Sequence, residues 1–390
     1  MAHNMKRNLI FFLLTLVVLS CSTRPPVQEG GIVIPPPDQT EPESFFLTIV
    51  AAGDNLIHDP LLAASYSNGV YSFDSIYEKI KAYTVPSDIA FVNQETILGN
   101  KTLGYSGYPS FSTPREAGAA LAAAGFDIIN HATNHAMDKG EAGVLNTMDY
   151  WESLEGIHYL GIHRSEDDKT NHPVIISKNN FRIGFLAYTY GTNAIPLPRG
   201  KPYLVSLINN EIMAREIDAL RPLCDYLVVS VHWGDEYSPE PNLYQTGLAA
   251  FFAEHNVDLV IGHHPHVLQR FEALPRNDGK STLCFYSLGN FLSAHFRPEK
   301  EALLGGLAYV KLKKTGEKVS VEETGFIPTI THYDAKQTGF LVYPLSEYTE
   351  ELAEKHWKRT NDKNMTLDFF KNKARELFGP ALILRNPLEK

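Results

Sequence analysis

Cysteine is scarce in this chain. Three stand in 390 residues, at Cys21, Cys224 and Cys284, so neither a disulfide framework nor a thiolate cluster organises the molecule, and a metal would have to be held by nitrogen and oxygen. Cys224 and Cys284 lie in apolar runs and are expected as buried thiols rather than as a bridge. Basic charge is also short: 35 Lys and Arg face 45 Asp and Glu, a formal net charge of −10. Nucleic acid is thereby excluded as a main partner, because neutralising phosphates takes clustered cations. An anionic substrate remains compatible if bound metal supplies the positive charge. Low hydrophobicity, the mark of disorder, is what the chain does not show: 44% hydrophobic and 21% charged residues describe a globular protein with a sizeable core.

No comfortable membrane span is present at the N-terminus. Lys6 and Arg7 precede "NLIFFLLTLVVLSC", which has the length of a signal-peptide core and falls short of the about 20 apolar residues a span requires. Its end, "VLSC" at Val18 to Cys21, resembles a bacterial lipobox, in which the cysteine becomes the lipid-bearing first residue. Residues 1–20 are therefore expected to be a lipoprotein signal peptide and Cys21 the lipidation site. Residues 21–44, rich in Pro and polar side chains, bury too little to fold and are read as a tether. The expected place is the bacterial cell envelope, with the protein lipid-anchored on a periplasmic or extracellular face.

From Phe45 onward, apolar strand-like runs alternate with helical segments, the pattern of a layered α/β domain. "FFLTIVAAGD", "SDIAFVNQE" and "DIINHATNH" read as strands in the first half; "FRIGFLAYTY", "CDYLVVSVHWG", "VDLVIGHH" and "STLCFYSLGNF" follow in the second. "TPREAGAALAAAGF" reads as a helix capped by Thr113 with Pro114 in its first turn. A second helix is expected from about Ser206 to Leu220, and a third over "LYQTGLAAFFAEH". "LLGGLAYVKLKK" and "KVSVEETGFIPT" read as an antiparallel pair turning at "KTGEK". The domain is placed at residues 45–345, with a C-terminal helical extension over residues 346–390.

The chemistry collects where the strands end. The first closes on Asp54 and Asn55 with His58 close behind; the second reaches Asn93 and Glu95; the third opens into Asn130, His131, Asn134, His135 and Asp138. Later strands supply His232 and then His263, His264 and His266 in "GHHPH". Parallel strands share one carboxyl edge, so residues from Asp54 to His266 can meet in one crevice. Carboxylates, imidazoles and an amide oxygen make a mixed N/O set suited to two divalent ions such as Mn, Zn or Fe. Two neighbouring ions require a bridging carboxylate, for which Glu95 is the natural candidate.

"GDNLIHD", "VNQET", "NHATNHAMDKG", "VHWGDEY", "GHHPHVLQ" and "YSLGNF" together resemble, in order and spacing, the bacterial capsule-synthesis CapA family associated with poly-γ-glutamate, a branch of the calcineurin-like metallophosphatase superfamily. The resemblance spans about Leu47 to Ser293. It implies a metallophosphatase-like fold of β-sheets flanked by helices, with the metal site at strand C-terminal ends. Under that scheme Asp54 and His266 hold one ion, Asn134, His232 and His264 the other, and Glu95 lies between them. His135 is then the catalytic residue that stabilises the transition state or protonates the leaving group. The sequence departs from the superfamily pattern in two places: His58 follows Asp54 by four residues rather than two, and glutamate replaces the usual bridging aspartate.

Several residues keep two readings. His58, Asn93, Asp138 and His263 are either ligands or supports of ligands; Asp138 serves equally as a cap for the helix from Gly140 or as a partner of a histidine. Ser287 and Asn290 are expected to shape the crevice by hydrogen bonding, and Trp233 to form a wall. His158, His163 and His172 carry no functional expectation. The implied function is a metal-dependent hydrolase-like envelope protein of capsule or exopolymer metabolism, acting on an anionic polymer or a phosphoester. The competing reading is a noncatalytic protein that holds or helps export an anionic polymer.

Overall fold

Two sheets packed face to face carry the site. The computed structural model describes residues 43–294 and 299–389; the signal segment, Cys21 and nearly all of the tether lie outside them. Strands β1 (Ser44–Asn55), β2 (Ile89–Gln94), β3 (Ile128–Asn130) and β4 (His158–Leu160) run parallel, side by side. The chain then builds a second sheet from β5 (Val174–Lys178), β6 (Phe181–Thr189), β7 (Tyr226–His232), β8 (Leu259–His263), β9 (Leu268–Pro275) and β10 (Ser281–Leu288), in the order β9-β10-β8-β7-β6-β5. It returns to the first sheet as β11 (Asn290–Leu292), which pairs with the end of β1, and as the antiparallel strands β12 (Leu304–Thr315), β13 (Lys318–His332) and β14 (Leu341–Pro344). The first sheet thus reads β14-β13-β12-β1-β2-β3-β4.

Parallel neighbours need crossover connections, and helices supply them. Helix α1 (Arg115–Ala123) links β2 to β3, α2 (Gly140–Glu152) links β3 to β4, α3 (Asn210–Leu220) links β6 to β7, and α4 (Leu243–Glu254) links β7 to β8. The period-2 alternation of a strand shows how the layers stack. On β7, Tyr226 and Val228 join a core that contains Val50 and Phe91 of the first sheet. Their neighbours Leu227, Val229 and Val231 join a separate core with Met213 and Ile217 of α3 and Leu248 and Phe252 of α4. Each face of this strand is therefore covered, which is why β2 and β7 are buried at every position and read as continuous apolar runs.

Two helix starts differ from the sequence expectation. Thr113 and Pro114 form a short bridge to Leu98 and Gly99, and Thr113 Oγ1 shares a 2.7 Å hydrogen bond with Thr96, so α1 begins at Arg115 without a side-chain cap. Helix α3 begins four residues later than Ser206, because Leu207 bridges to Thr189 and Asn209 caps the helix by accepting from the N–H groups of Glu211 and Ile212. The β12–β13 hairpin turns at Gly316, with Thr315 opposite Lys318. Beyond β14, helices α5 (Glu350–Lys355) and α6 (Leu367–Phe378) follow; Phe378 stacks on Phe326 of β13 at 3.8 Å between ring centroids.

Candidate metal centre

The carboxyl ends of both sheets meet at one crevice. In the first sheet Asp54 is in register with Asn93, and Asn93 with Asn130; in the second, His232 is in register with His263. The end of β1 comes so close to the turn before β11 that a Cβ at Gly53 would lie 2.1 Å from the Gly289 carbonyl oxygen. Only glycine fits there, and the approach lets Asp54 N–H donate to that carbonyl at 2.9 Å.

Asp54 is held from several sides. Its Oδ1 accepts from Asn93 Nδ2 at 2.7 Å, and Asn93 in turn accepts from Asn130 Nδ2 at 2.7 Å. Its Oδ2 accepts from the His264 backbone N–H at 3.2 Å and lies 3.2 Å from His266 Nδ1. Glu95 is the opposite case. It is fully buried, and among the described residues neither carboxylate oxygen has a hydrogen-bond partner. His232 Nε2 and His266 Nε2 each stand 3.7 Å from its Oε1. Two sets of donor atoms, Glu95 with His264 and His266, and Asp54 with Glu95 and His232, lie within 4.8 Å of one another. Glu95 belongs to both.

Burial and neighbouring charge set the electrostatics. Burial pushes the Glu95 carboxyl well above the usual carboxylate range. Burial acts on Asp54 in the same sense, yet the imidazoles of His263 and His266 beside it hold it well below that range. His266, despite its burial, is raised to about 9 by Glu95 and Asp54. His264 is lowered to about 3, and His232 well below the ordinary imidazole value, first by burial and then by neighbouring histidines. Among the described residues no Lys or Arg pairs with either carboxylate. A buried carboxylate without donor or cation is costly. Neutral imidazoles facing it, with no thiolate among them, are the donors a divalent cation takes. The residues present fit such an ion.

The histidine loop leaves the strand in an uncommon backbone conformation. His264 and His266 have φ of 97° and 59°, a left-handed conformation uncommon for side chains with a Cβ and one that marks functional strain. The loop is pinned by Trp233 N–H to His263 O at 3.1 Å and Tyr237 N–H to Pro265 O at 2.7 Å. Asn290 holds His266 at both ends, its Oδ1 accepting from Nδ1 at 3.1 Å and its Nδ2 donating to the backbone carbonyl at 3.1 Å. His263 remains on β8, its ring stacked on Phe91 at 5.7 Å and its Nδ1 3.5 Å from Asp54 Oδ1. Ser287 donates to the Val267 carbonyl at 2.7 Å. Trp233 packs in the second core and donates to the Tyr286 carbonyl at 2.9 Å.

Asn134 and His135 approach from the loop after β3. Asn134 Oδ1 lies 2.9 Å from His232 Nε2. His135 Nδ1 is 2.8 Å from Asp138 Oδ2, and Asp138 also accepts from the Phe111 N–H at 2.7 Å. Asp138 therefore orients His135 rather than capping α2, whose N-cap is Lys139. Phe111 presents its ring edge-on to His135 at 4.7 Å and to His58 at 5.3 Å. His58 accepts from the Ala294 N–H at 3.3 Å and belongs to neither donor-atom set. His131 accepts from Trp151 Nε1 at 2.8 Å, below the crevice. His158 and His172 stand at the surface, and His163 pairs with Ser206 Oγ at 3.0 Å.

Sequence reasoning missed the residues that follow β6. Tyr190 lies parallel to the His232 ring and 4.7 Å from that of His264, and Asn193 Oδ1 accepts from Asn134 Nδ2 at 3.2 Å. Tyr237 packs against His266 at 5.9 Å. The signal for the first two was position: "TYGTN" follows a parallel strand as "GDN" and "VNQE" do.

The model of the bacterial capsule synthesis protein PGA_cap family matches residues 48–295, the stretch that holds every residue of this crevice. The chain belongs to that family. Proteins similar to it include the capsule biosynthesis protein CapA of Bacillus anthracis, 30% identical over 232 residues, covering 57% of this chain and 54% of that protein. The PGA biosynthesis protein CapA of Bacillus subtilis (strain 168) is 30% identical over 181 residues, 46% of each chain. The chain thus spans about half the length of the curated relatives it matches. Among solved structures, the calcineurin-like phosphoesterase YfkN of Bacillus subtilis is similar at a TM-score of 0.43 and 14% identity, covering 84% of this chain and 100% of that one. The Haemophilus influenzae NAD nucleotidase is similar at a TM-score of 0.44 and 12% identity, covering 88% of this chain and 58% of that one.

Proposed function

We propose that this PGA_cap family member is a metal-dependent hydrolase of the bacterial cell envelope, acting in capsule or poly-γ-glutamate metabolism on an anionic polymer or a phosphoester. One observation carries the reading: both Glu95 oxygens are buried without a donor, with imidazole nitrogens of His232 and His266 facing them. Asp54, Glu95, Asn134, His232, His264 and His266 would hold two divalent ions, whose chemistry is to acidify a water and to stabilise negative charge on the group attacked.

The remaining steps belong to the chain itself. Asp138 accepts a hydrogen bond from His135 Nδ1–H, which orients the ring, so that the imidazolium, protonated at both nitrogens, gives its Nε2 proton to a leaving group and returns to the neutral Nδ1–H form. Phe111 holds the plane of that ring from its edge. Tyr190, itself part exposed, walls the crevice beside His232 and His264. On a protein of net charge −10, an anionic substrate depends on the charge of the held ions to bind. The names of the two CapA relatives support the polymer and the envelope setting.

The test is metal analysis of the purified full chain together with a hydrolysis screen of phosphoesters and γ-glutamyl peptides. About two ions per chain and turnover of one substrate class are expected. Metal-replete protein that cleaves none of them moves the reading to a protein that holds or helps export the polymer. Attachment is proposed to rest on a lipid at Cys21, the last residue of the lipobox-like "VLSC". Cys21→Ser should release the protein into the soluble fraction, and its retention on membranes would reject the anchor.

A further inference from the structure

We infer that Asn193 is a positioning residue that sets which end of the Asn134 carboxamide faces the metal site, an inference that rests on the metal-binding reading above. An asparagine can ligate a cation through Oδ1 alone, since its NH₂ group is only a donor. A buried asparagine that must present oxygen therefore needs an acceptor on its other side. Asn134 is 2% exposed, and its Oδ1 stands beside His232 Nε2 at 2.9 Å. Its Nδ2 donates to Asn193 Oδ1 at 3.2 Å. With the Asn134 amide turned over, two carbonyl oxygens would face each other and an NH₂ group would point at the ions.

The loop that carries Asn193 is built to hold that oxygen in place. Asn193 and Ala194 have φ of 50° and 60°, consecutive left-handed residues, of which asparagine is among the side chains that tolerate the conformation best. Thr192 Oγ1 donates to the Ile195 carbonyl at 2.6 Å, and Ile195 N–H donates back to Thr192 O at 2.9 Å. Upstream, Tyr190 N–H donates to His232 O at 3.0 Å. The loop belongs to the second sheet and Asn134 to the first, so the Asn193 bond crosses the seam, where the Tyr190 side chain of the same loop also meets Asn134. Asn193 Nδ2 also lies 3.4 Å from His135 Nδ1, but that nitrogen already has Asp138 at 2.8 Å, the shorter and charge-assisted contact. Orientation of Asn134 is the role left to Asn193.

A double-mutant cycle separates this role from loop architecture. Mn²⁺ is titrated into the metal-stripped full chain, and the dissociation constant and number of equivalents are read for wild type, Asn193→Gly, Asn134→Asp and the double variant. Glycine keeps the left-handed backbone without steric strain, and its added chain freedom is common to both backgrounds, so the difference between them reports loss of the amide. In the wild-type background Asn193→Gly should weaken one Mn²⁺ equivalent by about 10–100-fold, the range for a lost support of a metal ligand. A carboxylate has two equivalent oxygens and needs no orienting partner, so in the Asn134→Asp background the same substitution should change affinity less than about twofold. Asn193→Gly with wild-type affinity, or an equal loss in both backgrounds, overturns the inference. Wild-type chain that takes up fewer than two equivalents overturns the metal reading itself, a result distinct from either.

Discussion

Acidic residues stand at both ends of the parallel strands, and the two ends treat them oppositely. Asp88, Asp127, Asp225 and Asp258 each directly precede a strand, β2, β3, β7 and β8. Their carboxylates are occupied. Asp88 accepts from Thr48 N–H at 2.7 Å and Asn179 Nδ2 at 2.8 Å; Asp127 accepts from Ala90 N–H at 2.9 Å; Asp225 accepts from Arg182 N–H at 2.8 Å and pairs with Lys314 at 3.0 Å. Asp258 accepts from Leu227 N–H at 2.8 Å and pairs with Arg276 at 2.6 Å and with Arg221. At the carboxyl ends Asp54 meets imidazoles and an amide, and Glu95 meets no donor. The same chemical group thus locks strands together at one edge, while at the other Asp54 is held by an amide and a backbone N–H and Glu95 is left without a donor among the described residues. Unspent hydrogen-bonding capacity is what marks Glu95.

The largest contrast should come from the two kinds of histidine at the open edge. His135→Ala should lower turnover by about 10²–10⁴-fold, the range for a lost general acid, with metal content retained; His264→Ala should remove metal and turnover together. Metal analysis beside kinetics reads both, and full activity in His135→Ala would sink the assignment.

At the closed edge the largest loss is of stability. Arg276 is 3% exposed at its side chain and pairs with both Asp258 and Asp278. Asp258→Ala should therefore cost about 1–3 kcal/mol in urea unfolding by removing the acceptor of the Leu227 N–H and one of the two carboxylates on Arg276, while metal content stays at its wild-type value. A variant that keeps its stability but loses metal would erase the distinction between the edges.

Glu95→Gln should show the reverse sign according to metal. Because burial opposes the Glu95 carboxylate, the metal-free variant should melt no lower than metal-free wild type. Wild type should gain about 2.7 kcal/mol at a free-ion concentration 100 times its Kd, and the variant should lose most of that gain. Thermal melts with and without Mn²⁺ decide it; an unchanged metal-induced shift would remove Glu95 from the donor set.

Much of this was legible in the sequence because it rests on pattern. Apolar runs such as "DYLVVSV" are buried on both faces, and strand-end residues from Asp54 to His266 gather at one edge. What was not legible depends on backbone angles and competition between partners. His263, His264 and His266 are equivalent as letters, but positive φ turns the last two off the strand while His263 stays against Phe91. Thr113 was a sound cap candidate whose hydroxyl is taken by Thr96. Asn193 and Tyr190 carry no charge, and their position after a parallel strand is the one sequence signal they offer; the meeting of two sheets is what gives them their contacts.

The smallest and sharpest test lies within the closed edge, where two aspartates titrate in opposite directions. Burial pulls the Asp225 pKa upward, but Arg182 and Lys314 outweigh it and hold the carboxyl below its ordinary value. Its contribution to stability is therefore present above the unfolded-state pKa near 3.9 and is lost as pH falls through the lower folded value. Burial raises Asp127, and the Ala90 N–H offsets this only in part. Its contribution is present below the unfolded-state pKa and is lost as pH rises through the higher folded value. At pH 7 Asp225→Asn should destabilise the metal-free chain and Asp127→Asn should stabilise it, each by about 1 kcal/mol or less. Both differences from wild type should shrink as the pH is lowered toward about 3. Urea unfolding of the two variants across that interval checks the signs. Two effects of the same sign would mean that occupancy of the carboxylates, rather than the kind of partner, governs this edge.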